Sequence, residues 1–204
     1  MSDFDAPLAN SVALAPWRIP LAGSLHRNRR RPHSRYFQLA TVQANGRPAN
    51  RTVVFRGFVP HRNELMFVTD QRSQKVGDLA ACPWAEACWY FTETREQFRL
   101  GGAISLIGPT PTPAIGHQLR QQVWQALSKA SGQAFYWPPP GQTRSPDTAF
   151  QLEPAATPEP PDTFCLGLLH PDWVDHLELR GKPQNRTRYQ WVDPGHWQIQ
   201  AINP

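Results

Sequence analysis

The sequence predicts a mostly β domain of the α+β class, in which about seven to nine antiparallel strands close into a barrel beside two or three helices. Short apolar runs bounded by turn residues recur along the 204 residues, of which 22 are proline. Asn45-Gly46 lies between two such runs and is a strong hairpin signal. We expect a barrel because closing the sheet leaves few exposed strand edges.

The first half begins with a segment at 1–15 that has the composition of a flexible tail. A short helix is expected from about Trp17 to Asn28, since Pro20 falls where a first helical turn tolerates it. Three strands joined by short polar turns follow, at 36–43, 51–58 and 64–70.

The spacing of apolar residues then changes from that of a strand to that of a helix, because Val76, Leu79 and Ala80 fall at i, i+3 and i+4. Ser73 is a suitable N-cap for it. Two strands are expected next, at 85–94 and 97–108. The Gly101-Gly102 pair inside the second strand indicates a bulge or a close approach of two backbones.

The second half begins with a helix expected from about Pro113 to Ser131. Residues 138–161 are rich in proline and predict a surface loop. Four more strands are expected, at 164–171, 173–180, 186–192 and 196–202.

Bulk properties exclude several classes of protein. The net charge of +5 is mild and is concentrated at 26–35. Cys82, Cys88 and Cys165 have no metal-ligand spacing, which predicts free thiols in a reducing cytoplasm. The N-terminus is acidic and does not resemble a secretory signal, and no run approaches the roughly 20 apolar residues of a membrane helix. We therefore expect a cytoplasmic protein without a membrane span.

The strand at 51–58 is unusual because it carries two arginines, Arg51 and Arg56. The GxSxG, HExxH, Walker and GxGxxG motifs are all absent, and the seven histidines are scattered. In a regular strand the two arginines would point to opposite faces and could bind two parts of one long ligand. The alternative is that Arg51 lies in the turn and Arg56 at an exposed edge.

Two further features indicate a ligand. Lys75 falls in the first turn of a helix, where a cation opposes the helix dipole unless an anion is bound. The alternative is a solvated lysine. Gln97 begins an otherwise apolar strand, where its amide could bind the edge of a planar heterocycle. The alternative is a surface glutamine.

Together these residues resemble the pyridoxamine 5′-phosphate oxidase family of FMN-binding split barrels, and in particular a branch known from cyanobacteria and plants. The resemblance rests on Pro16-Trp17-Arg18, on Tyr36 to Val42, on Asn50 to Phe58 and on the C-terminal Trp197 and Ile202–Pro204. It implies one FMN-binding domain at 16–204, a split β-barrel with two to four flanking helices.

The resemblance also implies a set of FMN-binding residues. Arg51 would hold the phosphate together with Lys75. Arg56 would lie near the reactive face of the flavin. The remaining implied residues are Thr52, Val53, Val54, Val68, Thr69, Ser73, Gln74, Gln97, Ser131 and Arg188.

Some positions depart from the oxidase that gives the family its name. Gln184 and Arg186 stand where that enzyme has an arginine and a histidine that bind its substrate. His176 stands near the position of a flavin-contacting tryptophan, and Ala130 replaces a glutamine. The resemblance therefore implies a retained cofactor site and a changed substrate site, for which Arg56 and Arg186 are the expected substrate-binding residues.

The implied function is an FMN-dependent oxidoreductase that acts on a small molecule not specified by the sequence. The implied assembly is a homodimer, in which Gln97, Ser131 and Arg188 approach the flavin from the second subunit. Abundant aromatic residues agree with an interface, namely Trp89, Tyr90, Phe91, Trp191 and Trp197. One alternative is a flavin carrier or sensor without turnover. The other is a nucleic-acid-binding protein that uses 26–35 as a basic arm, although such a run is also typical of a solvated helix end.

Overall fold

The computed structural model describes residues 13–109, 114–151, 158–192 and 195–204. Nine strands form one antiparallel sheet. The strands are β1 (Tyr36–Val42), β2 (Pro48–Val54), β3 (Gly57–Phe58), β4 (Leu65–Asp70), β5 (Trp84–Phe91), β6 (Glu96–Ile107), β7 (Phe164–Glu178), β8 (Asn185–Val192) and β9 (His196–Ala201). The α-helices are α1 (Arg18–Arg27), α2 (Gln74–Ala81), α3 (Ala114–Gln125) and α4 (Lys129–Gln133). The antiparallel split-barrel prediction is confirmed.

The sheet closes because one extended segment changes its pairing partner. The strand order is β2-β1-β5-β6-β7-β4-β3, and β2 and β3 are successive parts of that segment. At the change, Phe55 N donates to Arg35 O (2.7 Å) beside β1, and Arg56 N donates to Met66 O (2.8 Å) on β4. This interruption, which the sequence did not predict, places Arg56 where the barrel closes.

Strand β7 is a single strand of 15 residues, so the prediction of separate strands at 164–171 and 173–180 was wrong. Its first half pairs with β4 and its second half with β8. The register with β6 shifts between Gly101 and Gly102, which confirms the predicted bulge. A Cβ on Gly102 would lie 1.9 Å from His170 O, so the close approach requires glycine.

The helix expected from Pro113 to Ser131 is instead two helices, α3 and α4. Ser128 divides them, since its side chain accepts a hydrogen bond from Ser131 N at the start of α4. In the proline-rich loop, a 3₁₀ turn covers Asp147–Phe150, and residues 152–157 lie outside the described part.

Most of the proposed tail, residues 1–12, also lies outside the described part of the chain, whereas Ala15 is buried and donates from its backbone N to Asn63 Oδ1 (2.9 Å).

In the part of the chain that the structure describes, no helix is long and apolar enough to cross a membrane.

The barrel interior is the larger of two apolar clusters, and the smaller cluster lies between the sheet and α3. Trp89 and Phe91 are fully buried in the larger one. They therefore belong to the core of a single chain, which corrects their assignment to a subunit interface. Tyr90 and Trp191 are exposed and remain available for one.

Candidate functional site

Arg51 lies on β2, where it is half-buried and on the same face of the strand as the buried Val53. Its Nη1 donates to Thr41 Oγ1 (2.7 Å) and to Leu39 O (3.3 Å). Its Nη2 lies 3.5 Å from Asp78 Oδ2 on α2. Thr41 Oγ1 donates to the same carboxylate oxygen (2.9 Å), so Thr41 and Asp78 hold the guanidinium beside α2.

Lys75 lies in the first turn of α2, next to that guanidinium. Its Nζ donates to Thr69 Oγ1 (2.9 Å) and to Ser73 Oγ (3.1 Å). Burial, and then the charge of Arg51, lower the pKa of Lys75. Ser73 occupies the N-cap position but makes no side-chain capping bond, because its hydroxyl contacts Lys75 and Thr69 (3.1 Å). The predicted helix start is confirmed, whereas the capping bond is not formed.

Arg51 and Lys75, with the hydroxyls of Thr69 and Ser73, form a group that we call the Arg51–Lys75 cluster. It has the chemistry of a phosphate site. Two cations converge there, Asp70 and Asp78 are the carboxylates that interact with Lys75, and the first turn of α2 contains no acidic residue. A phosphate would offset the burial and the repulsion by Arg51 that lower the pKa of Lys75, and it could accept bonds from both cations and from the N–H groups at the helix start. The residues therefore fit the phosphate of FMN.

Other residues from the predicted cofactor set line the strands beside this cluster. Val53 is buried, and Val54 and Val68 are half-buried on β2 and β4. Thr52 and Gln74 are exposed, at the outer face of β2 and at the first position of α2.

Arg56 is the other arginine of this segment, and part of its side chain lacks a hydrogen-bond partner among the described residues. Its Nε is buried and has no hydrogen-bond partner among the described residues. Burial, and then the nearby Arg35, lower the pKa of Arg56. Arg56 follows β2, beyond the point where the segment leaves β1 and pairs with β4.

Gln97 lies on β6, three strands away from β2 in the order of the sheet. It pairs with Tyr90 on β5 and with Leu177 on β7, and Leu177 in turn pairs with Arg186 on β8. Arg188 pairs with Asp175 instead. The register therefore places Arg186, rather than Arg188, in the same row as Gln97.

Arg186 and Arg188 both approach one buried carboxylate. Arg186 Nε donates to Asp175 Oδ1 (2.9 Å) and Arg186 Nη2 to Oδ2 (3.0 Å). Arg188 Nη2 lies 3.9 Å from Asp175 Oδ2. Ser131 lies on α4, where its Oγ accepts from Ser128 Oγ (2.9 Å). Within the described residues, no hydrogen bond or ion pair connects Gln97, Ser131 or Arg188 to the Arg51–Lys75 cluster.

Gln184 lines a surface cavity of about 750 Å³ together with Arg95, Arg180 and Lys182. Sequence reasoning missed these cations, although the basic turn Arg180-Gly181-Lys182 was a visible signal. It also missed Thr41 and Asp78, which are brought to Arg51 by the folding of the barrel.

His176 points into the barrel, where its ring stacks on Phe98 at 4.0 Å, so it does not share the face of Gln97. The basic run at 26–35 is partly tied to the fold, because Arg31 Nε lies 2.5 Å from Glu93 Oε1.

The chain is similar in sequence and in fold to known proteins. Residues 14–108 match the family profile described as "Pyridoxamine 5′-phosphate oxidase, FMN-binding domain". The chain is 38% identical to pyridoxine/pyridoxamine 5′-phosphate oxidase 2 of Arabidopsis thaliana, over 94% of this chain and 98% of that protein.

Two solved structures are similar to the fold. A pyridoxamine 5′-phosphate oxidase-related, FMN-binding protein from Nostoc punctiforme is 51% identical, with a TM-score of 0.91 over 94% of this chain and all of that one. PhzG from Burkholderia lata has a TM-score of 0.77 at 17% identity, over 98% of each chain, which is a likeness of fold alone. The chain belongs to the pyridoxamine 5′-phosphate oxidase family of FMN-binding split-barrel proteins.

Proposed function

We propose that the protein is an FMN-dependent oxidoreductase that holds the FMN phosphate in the Arg51–Lys75 cluster. The observation that carries this proposal is the convergence of two cations at the start of α2, where burial and mutual repulsion lower the pKa of Lys75. A phosphate accepts charge-assisted bonds from both groups. Ser73 and Thr69 complete the cluster through their hydroxyls.

Bound FMN supplies the redox chemistry, and the protein supplies binding, orientation and electrostatics. Arg56 is proposed to bind an anionic part of the substrate or the flavin ring, and its buried Nε, which has no hydrogen-bond partner among the described residues, supports this role. Arg186 is the other proposed substrate-binding residue. Its ion pair with Asp175 holds the guanidinium in one orientation, so any contact with the substrate is made without a large movement of the side chain.

We also propose that the protein works as a homodimer, in which Gln97, Ser131 and Arg188 of one subunit complete the FMN site of the other. Large side chains on the outer faces of β1 and β5 support this, since Tyr36 is 44%, Trp84 57% and Tyr90 41% exposed. Aromatic residues are enriched at subunit interfaces.

Dilution experiments test the dimer. FMN should increase its resistance to dissociation, because a ligand that binds only the dimer stabilises it by mass action. Gln97→Ala should weaken FMN binding without altering the phosphate cluster. Sedimentation at micromolar concentration that finds a stable monomer with one tightly bound FMN would exclude the shared site.

Turnover distinguishes an oxidoreductase from a flavin carrier or sensor. The purified yellow protein is reduced with NADPH under anaerobic conditions, and its flavin absorbance is then followed on addition of oxygen or of candidate acceptors. An oxidoreductase should be reduced and reoxidised repeatedly. A protein whose flavin no donor or acceptor affects would be a carrier or sensor. Arg56→Gln should slow reoxidation by an anionic substrate while FMN remains bound, and Arg47→Gln, at an exposed position outside the site, is the control.

Oxidation of pyridoxine or pyridoxamine 5′-phosphate is a second candidate activity. It is favoured by the name of the Arabidopsis relative, which aligns over nearly its whole length. Gln184 and Arg186, which replace the substrate-binding pair, disfavour it.

A further inference from the structure

A group of two buried side chains and one partly exposed side chain lies between the ends of β6 and β7, outside the proposed flavin site. Glu96 on β6 pairs directly with Glu178 on β7, and Phe98 pairs with His176. Glu96, His176 and Glu178 thus share one face of two adjacent strands. Each offers a ligand atom, and these atoms all lie within 4.8 Å of one another.

The charges of this group are poorly balanced. Two carboxylates directly opposite each other on neighbouring strands repel, and burial strengthens the repulsion, since the side chain of Glu96 is only 9% exposed. Arg27 Nη2 binds Glu96 Oε1 (2.7 Å), but its own side chain is 52% exposed. Among the described residues, Glu178 has no ion-pair partner.

The buried imidazole points into the same group. The side chain of His176 is 7% exposed, and its Nε2 lies 3.7 Å from Glu96 Oε2, too far for a hydrogen bond. This nitrogen is buried and has no hydrogen-bond partner in the described structure. A buried polar atom without a partner is costly, and a cation between the imidazole and the carboxylates would provide one.

We propose that Glu96, His176 and Glu178 form a binding site for a divalent cation. One imidazole and two carboxylates suit Mn²⁺, Fe²⁺ or Zn²⁺, since imidazole favours the transition metals and carboxylate the harder ions. Ligand atoms on a tetrahedral zinc ion lie roughly 3.3 Å apart, so modest side-chain rotations would close the cluster around an ion.

The surroundings of Glu96 would orient it as a ligand. Arg27 binds Oε1, while Oε2 accepts from Ser24 Oγ and faces His176. Such secondary contacts commonly fix the orientation of metal ligands. Because Ser24 and Arg27 belong to α1, a bound ion would also join α1 to the sheet.

Mn²⁺ is the probe for the test, because it prefers oxygen and nitrogen to the thiolates of the three cysteines. Protein with its flavin is treated with EDTA, freed of chelator and titrated with Mn²⁺, and the unbound ion is measured by electron paramagnetic resonance. We expect one site per chain, at which Zn²⁺ displaces Mn²⁺. Glu178→Gln and His176→Gln should each weaken binding at least about tenfold, and Mn²⁺ should raise the melting temperature of the wild type but not of Glu178→Gln.

Glu93→Gln is the matched control, because Glu93 lies near the group but outside it, in an ion pair with Arg31. It should leave Mn²⁺ binding unchanged. Glu178→Gln preserves side-chain size at a partly exposed position, so it decides the outcome if His176→Gln fails to fold. Absence of Mn²⁺ binding, or equal binding by the wild type and Glu178→Gln, would overturn the proposal.

Discussion

Replacement of Arg51 by alanine should weaken the binding of FMN but not that of riboflavin, which lacks the phosphate. A hydrogen bond to a charged group contributes about 1.5–3 kcal/mol, so the variant should bind FMN about 10- to 150-fold more weakly. The fold should persist, because Asp78 keeps its bond from Thr41 (2.9 Å) and loses only a long contact of 3.5 Å.

Calorimetric titration of the apoprotein with FMN and with riboflavin measures both affinities, and thermal unfolding reports the stability. Arg47→Ala is the matched control, because Arg47 is exposed on the same hairpin and its removal changes the net charge equally. The reasoning fails if Arg51→Ala weakens FMN and riboflavin alike, or if Arg47→Ala has as large an effect on FMN.

Three other predictions follow from the site and the core. Burial and Arg51 lower the pKa of Lys75 in the free protein, and a phosphate favours the protonated amine, so FMN affinity should fall as pH rises, beginning below the usual lysine range. Calorimetry across alkaline pH should find that Lys75→Met lacks this slope, and an equal slope in both proteins would refute it. Burial raises the pKa of Cys165 to about 11, so mass spectrometry should find Cys165 unmodified by an aromatic disulfide until the protein unfolds, whereas early labelling would contradict its burial. With Gln184 and Arg186 in place of the substrate-binding pair, an oxygen electrode should detect absent or very slow oxidation of pyridoxine 5′-phosphate, and turnover typical of the family would show the replacement to be harmless.

Local chemistry explains why much of the fold was predictable. The Asn45-Gly46 hairpin and the start of α2 depend on residues near in sequence, and both are confirmed. The unbroken β7 was missed because Pro171-Asp172 has the composition of a turn. What occurs there is a bulge, which depends on the approach of Gly102 from a distant strand.

The site residues likewise divide into those that local sequence revealed and those that depend on contacts between distant parts of the chain. Arg51 and Lys75 were visible because a cation in an apolar strand, or at a helix start, is unfavourable without an anion. Thr41 and Asp78 became recognisable only once the barrel brought them to Arg51. The position of Arg186 in the row of Gln97 depends on the register of three strands, which no local pattern specifies.

The central claim is that the protein carries FMN bound by its phosphate. The most direct measurement is the visible spectrum of protein purified from cells, combined with mass spectrometry of the compound that it releases on denaturation. We expect a yellow protein that releases FMN in an amount equimolar to the chain, without riboflavin. A colourless protein that takes up no added FMN, or one that releases riboflavin in equal measure, would contradict the account.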